Sequence, residues 1–341
     1  MERSLEHGLT AVRGLEVGHD TLPSRPTGCT VVLARGGAVA GVDVRGGAPA
    51  SRELALLDPH ATVSEIQAVV LTGGSAFGLD AAQGVQRALE DEGLGFDTGV
   101  ARVPIVPAAA LFDLAVGDRP DLRPDAASGI RALHAATSDP VQEGNVGAGA
   151  GATVGKLAGP GRAMKSGLGS AALAVPGGGT IAALFAVNAL GDVVDPATGR
   201  VVAGVRSSEG DALADARRLL RGNPSQSPLG SSPLENTTLG VVATDIPLHK
   251  TEASRLARMA HTGLCQAIFP SHSPWDGDTI FALSTGRAER PVDLLSLGAL
   301  AARVSSTAIL RAVRAATSLP GLPAARDLEG STSKVDVPSP S

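Results

Sequence analysis

The chain has 341 residues with no tyrosine, one tryptophan and six phenylalanines, so aromatic residues make up only 2% of it. Grooves for nucleic acid are built from stacking rings and stripes of Lys and Arg. With a formal net charge of -5 and no basic cluster, the sequence offers neither, and no nucleic-acid partner is expected. Cysteine is nearly as scarce. Cys29 and Cys265 stand far apart, which excludes a disulfide framework and fits two free thiols in a cytoplasmic protein. Glycine interrupts the apolar runs well short of the roughly 20 residues that span a bilayer. The opening MERSLEHGLTAVRG lacks the basic-then-apolar order of a signal peptide. No membrane partner is expected. Lysine is rare too: Lys156, Lys165, Lys250 and Lys334 are all there are, and arginine supplies the other cations. A lysine inside an apolar segment therefore stands out.

Glycine and small apolar residues are abundant: 43 glycines, 43% hydrophobic residues and a mean hydropathy of +0.15. Such a chain must bury a large core, and its length allows one large α/β domain. Strands are expected at 30–35, 38–44, 66–71, 103–106, 151–157, 180–189, 237–244 and 278–284. Several are apolar without clean alternation, as strands covered on both faces are. A helix is expected through the stripe Leu79, Ala82, Val85 and Leu89, and another through Leu297, Leu300, Val304 and Ala308. Segments 124–137, 211–221 and 251–267 also read as helices. No internal repeat is present. The expectation is a single domain over 1–320, an α/β (α+β) layered sandwich with sheets inside and helices outside. From Gly321 to Ser341 the Pro/Ser-rich composition reads as a disordered tail.

Three segments imitate known motifs and fall short of them. Gly144 to Lys156, GNVGAGAGATVGK, lacks the first Gly and the final Ser/Thr of a phosphate loop. It also lacks the long helix that must follow a dinucleotide loop. Ser75 in GGSAFG has Phe77 where a nucleophile elbow needs glycine, and reads instead as a helix cap. His272 and the pair Asp276 and Asp278 suggest a metal, but no second histidine lies at ligand spacing. Neither a cofactor nor a metal is expected.

Residues 221–236, RGNPSQSPLGSSPLEN, read as an exposed loop. It runs into TTLGVVATD through Asn236 and Thr237. Such a junction is where a chain can cut itself: the Thr237 hydroxyl attacks the Asn236 carbonyl, and water releases the ester. Thr237 is then a new N-terminus carrying both a hydroxyl nucleophile and an amine to serve as its base. On the dipeptide alone, Asn-Thr is a very weak signal and an ordinary loop-to-strand junction is the better account of the residues.

Six segments in order resemble those of the DmpA-type aminopeptidases and β-peptidyl aminopeptidases, with the nylon-oligomer hydrolases as a branch. They are DVRGGAPASRE (43–53), LTGGSAFGLDAA (71–82), VGAGAGATVGK (146–156), AVNALGDVVDPATG (186–199), NTTLGVVATD (236–245) and HSPWDGDTIFALST (272–285). The resemblance implies an αββα-like, N-terminal-nucleophile-type hydrolase. It would be cleaved into an α piece, 1–236, and a β piece, 237–341, which assemble as αβ units into a homo-oligomer, most simply a tetramer. The implied substrate is a small peptide or related amide, the implied activity that of an aminopeptidase. By position, Thr237 is the nucleophile, Lys156 a charge-stabilising lysine, Asn188 an oxyanion donor, and Asp276 and Asp278 the pair that orients the freed amine and hydroxyl. An α-amine titrating near 8 suits general-base duty. Two features depart from the aminopeptidase branch: threonine and two aspartates replace a serine and a Ser/Glu pair, and Phe112 stands where a tyrosine hydroxyl is common. Two other functions remain as alternatives, an acetyltransferase of the ornithine acetyltransferase type and a non-catalytic scaffold on the same fold.

Overall fold

The computed structural model describes residues 4–221, 236–289, 291 and 293–328. One ten-stranded sheet organises them. In chain order its strands are β1 (Ser4–Leu5), β2 (Glu16–Thr21), β3 (Gly28–Val44), β4 (Ala50–Arg52), β5 (Glu65–Thr72), β6 (Ala108–Ala110), β7 (Leu168–Ala174), β8 (Thr180–Asn188), β9 (Thr237–Thr244) and β10 (Thr279–Ser284). Their spatial order is β1-β7-β8-β9-β10-β3-β5-β6-β4, with β2 on β3. The helices are α1 (Asp80–Asp91), α2 (Ala126–His134), α3 (Ala216–Arg221), α4 (Lys250–Ala267), α5 (Leu294–Ala315) and α6 (Ala325–Leu328).

Side-chain parity folds this sheet into two layers. On β8, Ile181, Ala183, Phe185 and Val187 face a core shared with Leu256, Ala260, Leu264 of α4 and Ala301, Ala308, Ile309 of α5. The alternate residues Ala182, Leu184 and Ala186 face a second core together with Val32, Val69 and Leu71 from β3 and β5. Val31, Leu33 and Val70 then face out toward Ala82, Val85 and Leu89 of α1 and Leu133 of α2. The layers run helix, sheet, sheet, helix, and a strand in either sheet has apolar residues on both faces. β3 joins the two sheets: at 17 residues it is long enough to belong to both, and its pairing with β5 shifts register between Leu33 and Ala38. The αββα sandwich expected from sequence is the fold observed.

Local chemistry sets the ends and crossings. Asp125 caps α2 by accepting the Ser128 N–H at 2.8 Å, a contact worth about 1 kcal/mol. Gly41 is where α4 crosses β3, and a Cβ there would stand 2.3 Å from the Ser254 nitrogen. α5 is long and apolar enough, by length and composition, to cross a membrane. Here it is a core helix, with Leu297, Ala301, Val304 and Ala308 packed inward.

Six sequence expectations need correction. Segments 30–35 and 38–44 are one strand. In 103–106 only Arg102–Val103 pairs, with Phe96–Asp97, and the sheet strand is Ala108–Ala110. Pro104 and Pro107 lack the N–H a ladder needs. In 151–157 only Thr153–Val154 is a strand, because Gly155 turns the chain at φ +72°. The helix expected at 211–221 starts at Ala216. Ser75 is not the cap: it opens the short 3-10 helix Ser75–Leu79 at φ +55°, after Gly74, and donates its N–H to Leu111 O at 2.9 Å. In the segment expected as tail, Leu322 pairs with Leu319 and Ala325 is buried in the core. Residues 329–341 of that tail, and 222–235 of the expected loop, lie outside the described residues.

Candidate active site

The Asn236–Thr237 bond is buried, with Asn236 fully enclosed and Thr237 3% exposed. β9 starts at Thr237, pairs antiparallel with β8 and parallel with β10. Parity puts Thr237 on the face of Leu239, Val241 and Ala243, which is the layer between the two sheets.

The parallel pairing continues backward past Thr237 into the turn Asp276–Gly277–Asp278. The Asn236 N–H donates to Trp275 O at 2.9 Å, and the Gly277 N–H donates to Asn236 O at 2.6 Å. The Thr237 hydroxyl donates to the same carbonyl oxygen at 2.6 Å. A carbonyl that accepts a backbone N–H on one side and faces a hydroxyl on the other is polarised for attack. Gly277 has to be glycine for this: an added Cβ would lie 2.6 Å from Thr237 Oγ1 and 2.8 Å from Ala48 O. The turn is held from beneath by the segment after β3. Arg45 N–H donates to Asp278 O at 2.9 Å and Ala48 N–H to Asp276 O at 2.8 Å.

Both aspartates are almost fully buried. Asp276 Oδ2 accepts the Ser273 N–H at 2.7 Å. Burial, followed by the Asp278 charge, raises its pKa above the usual carboxylate range. Asp278 Oδ1 accepts the Thr238 N–H at 2.8 Å, while Oδ2 accepts the His272 N–H at 3.1 Å and faces His272 Nδ1 at 2.8 Å. His272 adopts φ +56°, unusual for a residue with a Cβ; the conformation lets its backbone and its ring both reach Asp278. Burial disfavours the His272 imidazolium, but Asp278 and then Cys265 outweigh it and raise the pKa to about 9.

Asn188 lies directly opposite Thr237 in the β8–β9 register. Its Oδ1 accepts from Lys156 Nζ at 2.8 Å and from the Thr153 N–H at 3.0 Å. Those two donors fix the amide orientation and leave Nδ2 to donate to Phe112 O at 2.9 Å. Lys156 Nζ also reaches Asn188 O at 3.1 Å and Thr153 O at 3.2 Å. Burial lowers the Lys156 pKa to about 7, against the pull of Asp276, Asp113 and Asp278. Lys156, Thr153 and Phe112 open onto a cleft of about 230 Å³, walled otherwise by apolar side chains such as Val116, Ala163 and Leu322. Among the described residues no three His, Cys, Asp or Glu side chains gather as a metal cage.

All five sequence-derived residues thus converge on the Asn236–Thr237 bond. Asn236 pairs with Asp276 and the Thr238 N–H donates to Asp278, while Asn188 lies opposite Thr237 and accepts from Lys156. The sequence reading missed the backbone N–H of Gly277, although the glycine stood in plain view between two aspartates. It also passed over His272, which it weighed only as a metal ligand. Lys165 was marked only by rarity. It is fully buried and donates to the carbonyls of Gly149 and Ala152 at 3.0 Å each and to that of Ser166.

The sequence profile of peptidase family S58 matches residues 7–326. The chain belongs to peptidase family S58. An uncharacterized aminopeptidase of Mycobacterium tuberculosis is 40% identical over 94% of this chain and 98% of its own length. A 6-aminohexanoate-oligomer endohydrolase of Kocuria is 30% identical over 88% and 84%. Among solved structures, a Burkholderia β-aminopeptidase superposes with a TM-score of 0.72 at 22% identity, covering 98% of this chain and 97% of its own. The L-aminopeptidase D-Ala-esterase/amidase of Ochrobactrum anthropi, described as a variant of the Ntn hydrolase fold, gives 0.68 at 22% identity over 95% and 92%. The S58 chain described here has that fold and is a hydrolase of the peptidase type, acting on amide bonds.

Proposed function

We propose that this S58 chain is made as a precursor, cleaves its own Asn236–Thr237 bond, and then acts as an aminopeptidase on small peptides or related amides with Thr237 as nucleophile. One observation carries the reading: the Thr237 hydroxyl and the Gly277 N–H both lie 2.6 Å from the Asn236 carbonyl oxygen. In the first step Oγ1 bonds to the Asn236 carbonyl carbon and the C–N bond breaks, giving an ester. The hydroxyl proton passes to the departing nitrogen, so this shift already frees the Thr237 amine; water then hydrolyses the ester, releasing the Thr237 hydroxyl and the Asn236 carboxylate. The Gly277 N–H supports the negative charge on oxygen in both steps.

In the mature enzyme the freed amine takes the hydroxyl proton as Oγ1 attacks a substrate carbonyl. Asp276 and Asp278 hold the amine and the first residues of β9. Lys156, through Asn188 Oδ1, keeps the Asn188 amide aligned opposite Thr237 and supplies positive charge near the developing oxyanion. For Asn188 itself to donate to that oxyanion, it must use the second Nδ2 hydrogen or leave Phe112 O. The apolar wall formed by Phe112, Val116, Ala163 and Leu322 suits an uncharged, apolar substrate portion. β9 remains hydrogen-bonded between β8 and β10 after cleavage, so the two pieces stay together as one αβ unit.

Release of nitroaniline from a panel of unblocked aminoacyl p-nitroanilides tests the activity. Wild-type protein is expected to turn over at least one apolar member, and Thr237→Ala none. A fully processed protein inert toward all of these, and toward 6-aminohexanoate oligomers, contradicts the reading.

A further inference from the structure

A chain of reactive groups leads from the Asp278 carboxylate to the protein surface. Cys265, exposed near the end of α4, places Sγ 3.2 Å from His272 Nε2 and accepts from the Ser271 hydroxyl at 3.6 Å. His272 continues inward to Asp278 at 2.8 Å, and Asp278 holds the N–H of Thr238, the residue after the nucleophile. A carboxylate on Nδ1 fixes the imidazole so that Nε2 meets the sulfur, the arrangement that converts thiol to thiolate. In agreement, the His272 hydrogen bond pulls the Cys265 thiol below its ordinary pKa. The surrounding charges favour an anionic sulfur: Arg45 lies near and is itself held by Asp43, which also pairs with Arg258. His261 packs edge-on against His272 at 4.8 Å, and burial lowers its pKa to about 4, so it stays neutral.

We propose that Cys265 is a modification site for small disulfides, and that its modification is transmitted through His272 to Asp278 and slows Thr237 chemistry. The second half rests on the reading of Thr237 given above; the first does not. The Cys265 thiolate attacks one sulfur of R–S–S–R and forms Cys265–S–S–R. The reagent's S–S bond breaks, and its electron pair leaves as a thiolate that takes the proton from His272 Nε2. The mixed disulfide is uncharged, so His272 loses one of the two anions that hold it. The ring then re-seats on Asp278 alone, and the carboxylate that holds β9 at the Thr238 N–H shifts with it.

Reaction of the mature protein with dithiobis-nitrobenzoate at neutral pH, followed by thiolate release and peptide mass mapping, tests the site. One fast equivalent is expected at Cys265, with the fully buried Cys29 untouched. His272→Gln is expected to slow it at least tenfold, and so is Asp278→Asn, which serves as the second variant where the first fails to fold. Equal rates in wild type and a folded variant overturn the site, whatever the protein's activity. Transmission is tested with methyl methanethiosulfonate, which leaves only a methylthio group. Hydrolysis is expected to fall at least fivefold, to recover with dithiothreitol, and to be untouched in Cys265→Ser. Full activity after complete methylthiolation, or loss only with the bulky label, overturns transmission.

Discussion

Asn188 and Thr237 face each other across the last antiparallel pair of β8 and β9, both on the inter-sheet side. That pairing ties two strands that are distant in sequence into one site. It also makes the site sensitive to register, since a slip of one residue would turn both side chains to the opposite face.

Thr237→Ala removes the attacking oxygen. Its product is expected to run as one band of 34.0 kDa with activity down by at least three orders of magnitude, whereas Thr237→Ser keeps a hydroxyl in place and continues to process. Denaturing gels of the three proteins check this.

Gly277→Ala puts a methyl group 2.6 Å from Thr237 Oγ1. The strand pairing around it is backbone-made, so the fold is expected to persist while precursor accumulates, with processing at least tenfold slower. A time course of band intensities reads the effect directly.

Lys156→Met addresses a buried amine. Its pKa falls from 10.5 to about 7 on folding, so between those values the unfolded chain holds the proton and the folded one does not. Stability therefore gains from this group as pH rises from 7 toward 10.5, and the gain is lost as pH falls through 7. The methionine variant lacks that slope, and the difference in Tm, wild type minus variant, is expected to grow between pH 6 and pH 9. Lys165, shifted in the same direction, keeps part of the slope in both proteins.

Asp278→Asn takes away the carboxylate that holds His272 protonated. The His272 pKa is expected to drop from about 9 toward its ordinary value near 6.5, read by NMR titration of the ring. Because a raised histidine pKa contributes stability that is complete below 6.5 and lost as pH rises through 9, the stability gap between wild type and variant narrows over that window.

Arg25→Met tests the support behind the site. Arg25 pairs with Asp113 at 3.1 Å, the two side chains being 1% and 0% exposed. Asp113 also accepts from Thr27 at 2.6 Å and from the Gly74 N–H at 2.9 Å. Leaving that carboxylate without its cation is expected to cost about 3–5 kcal/mol in chemical denaturation.

The layered fold was legible because β8, β9 and β10 are apolar on both faces and α1 and α5 carry clear helical stripes. The strand at 237–244 emerged with its bounds intact. Segment 151–157 misled, since its Val and Ala suggest a strand while glycine conformations decide its path. The site residues were legible through ordered motifs; neither periodicity nor spacing singles out Lys156 or Asn188. What remained hidden was backbone and long-range geometry. No side-chain pattern announces the Gly277 N–H, and nothing in sequence joins Cys265, on a helix, to His272, in a loop at positive φ.

N-terminal sequencing of the smaller fragment of purified protein tests the central claim most directly. Cleavage at Asn236–Thr237 yields pieces of about 24 and 10 kDa from 34.0 kDa, and the smaller must begin Thr-Thr-Leu-Gly-Val-Val. An undivided chain after prolonged incubation, or a fragment beginning elsewhere, contradicts Thr237 as a self-generated nucleophile.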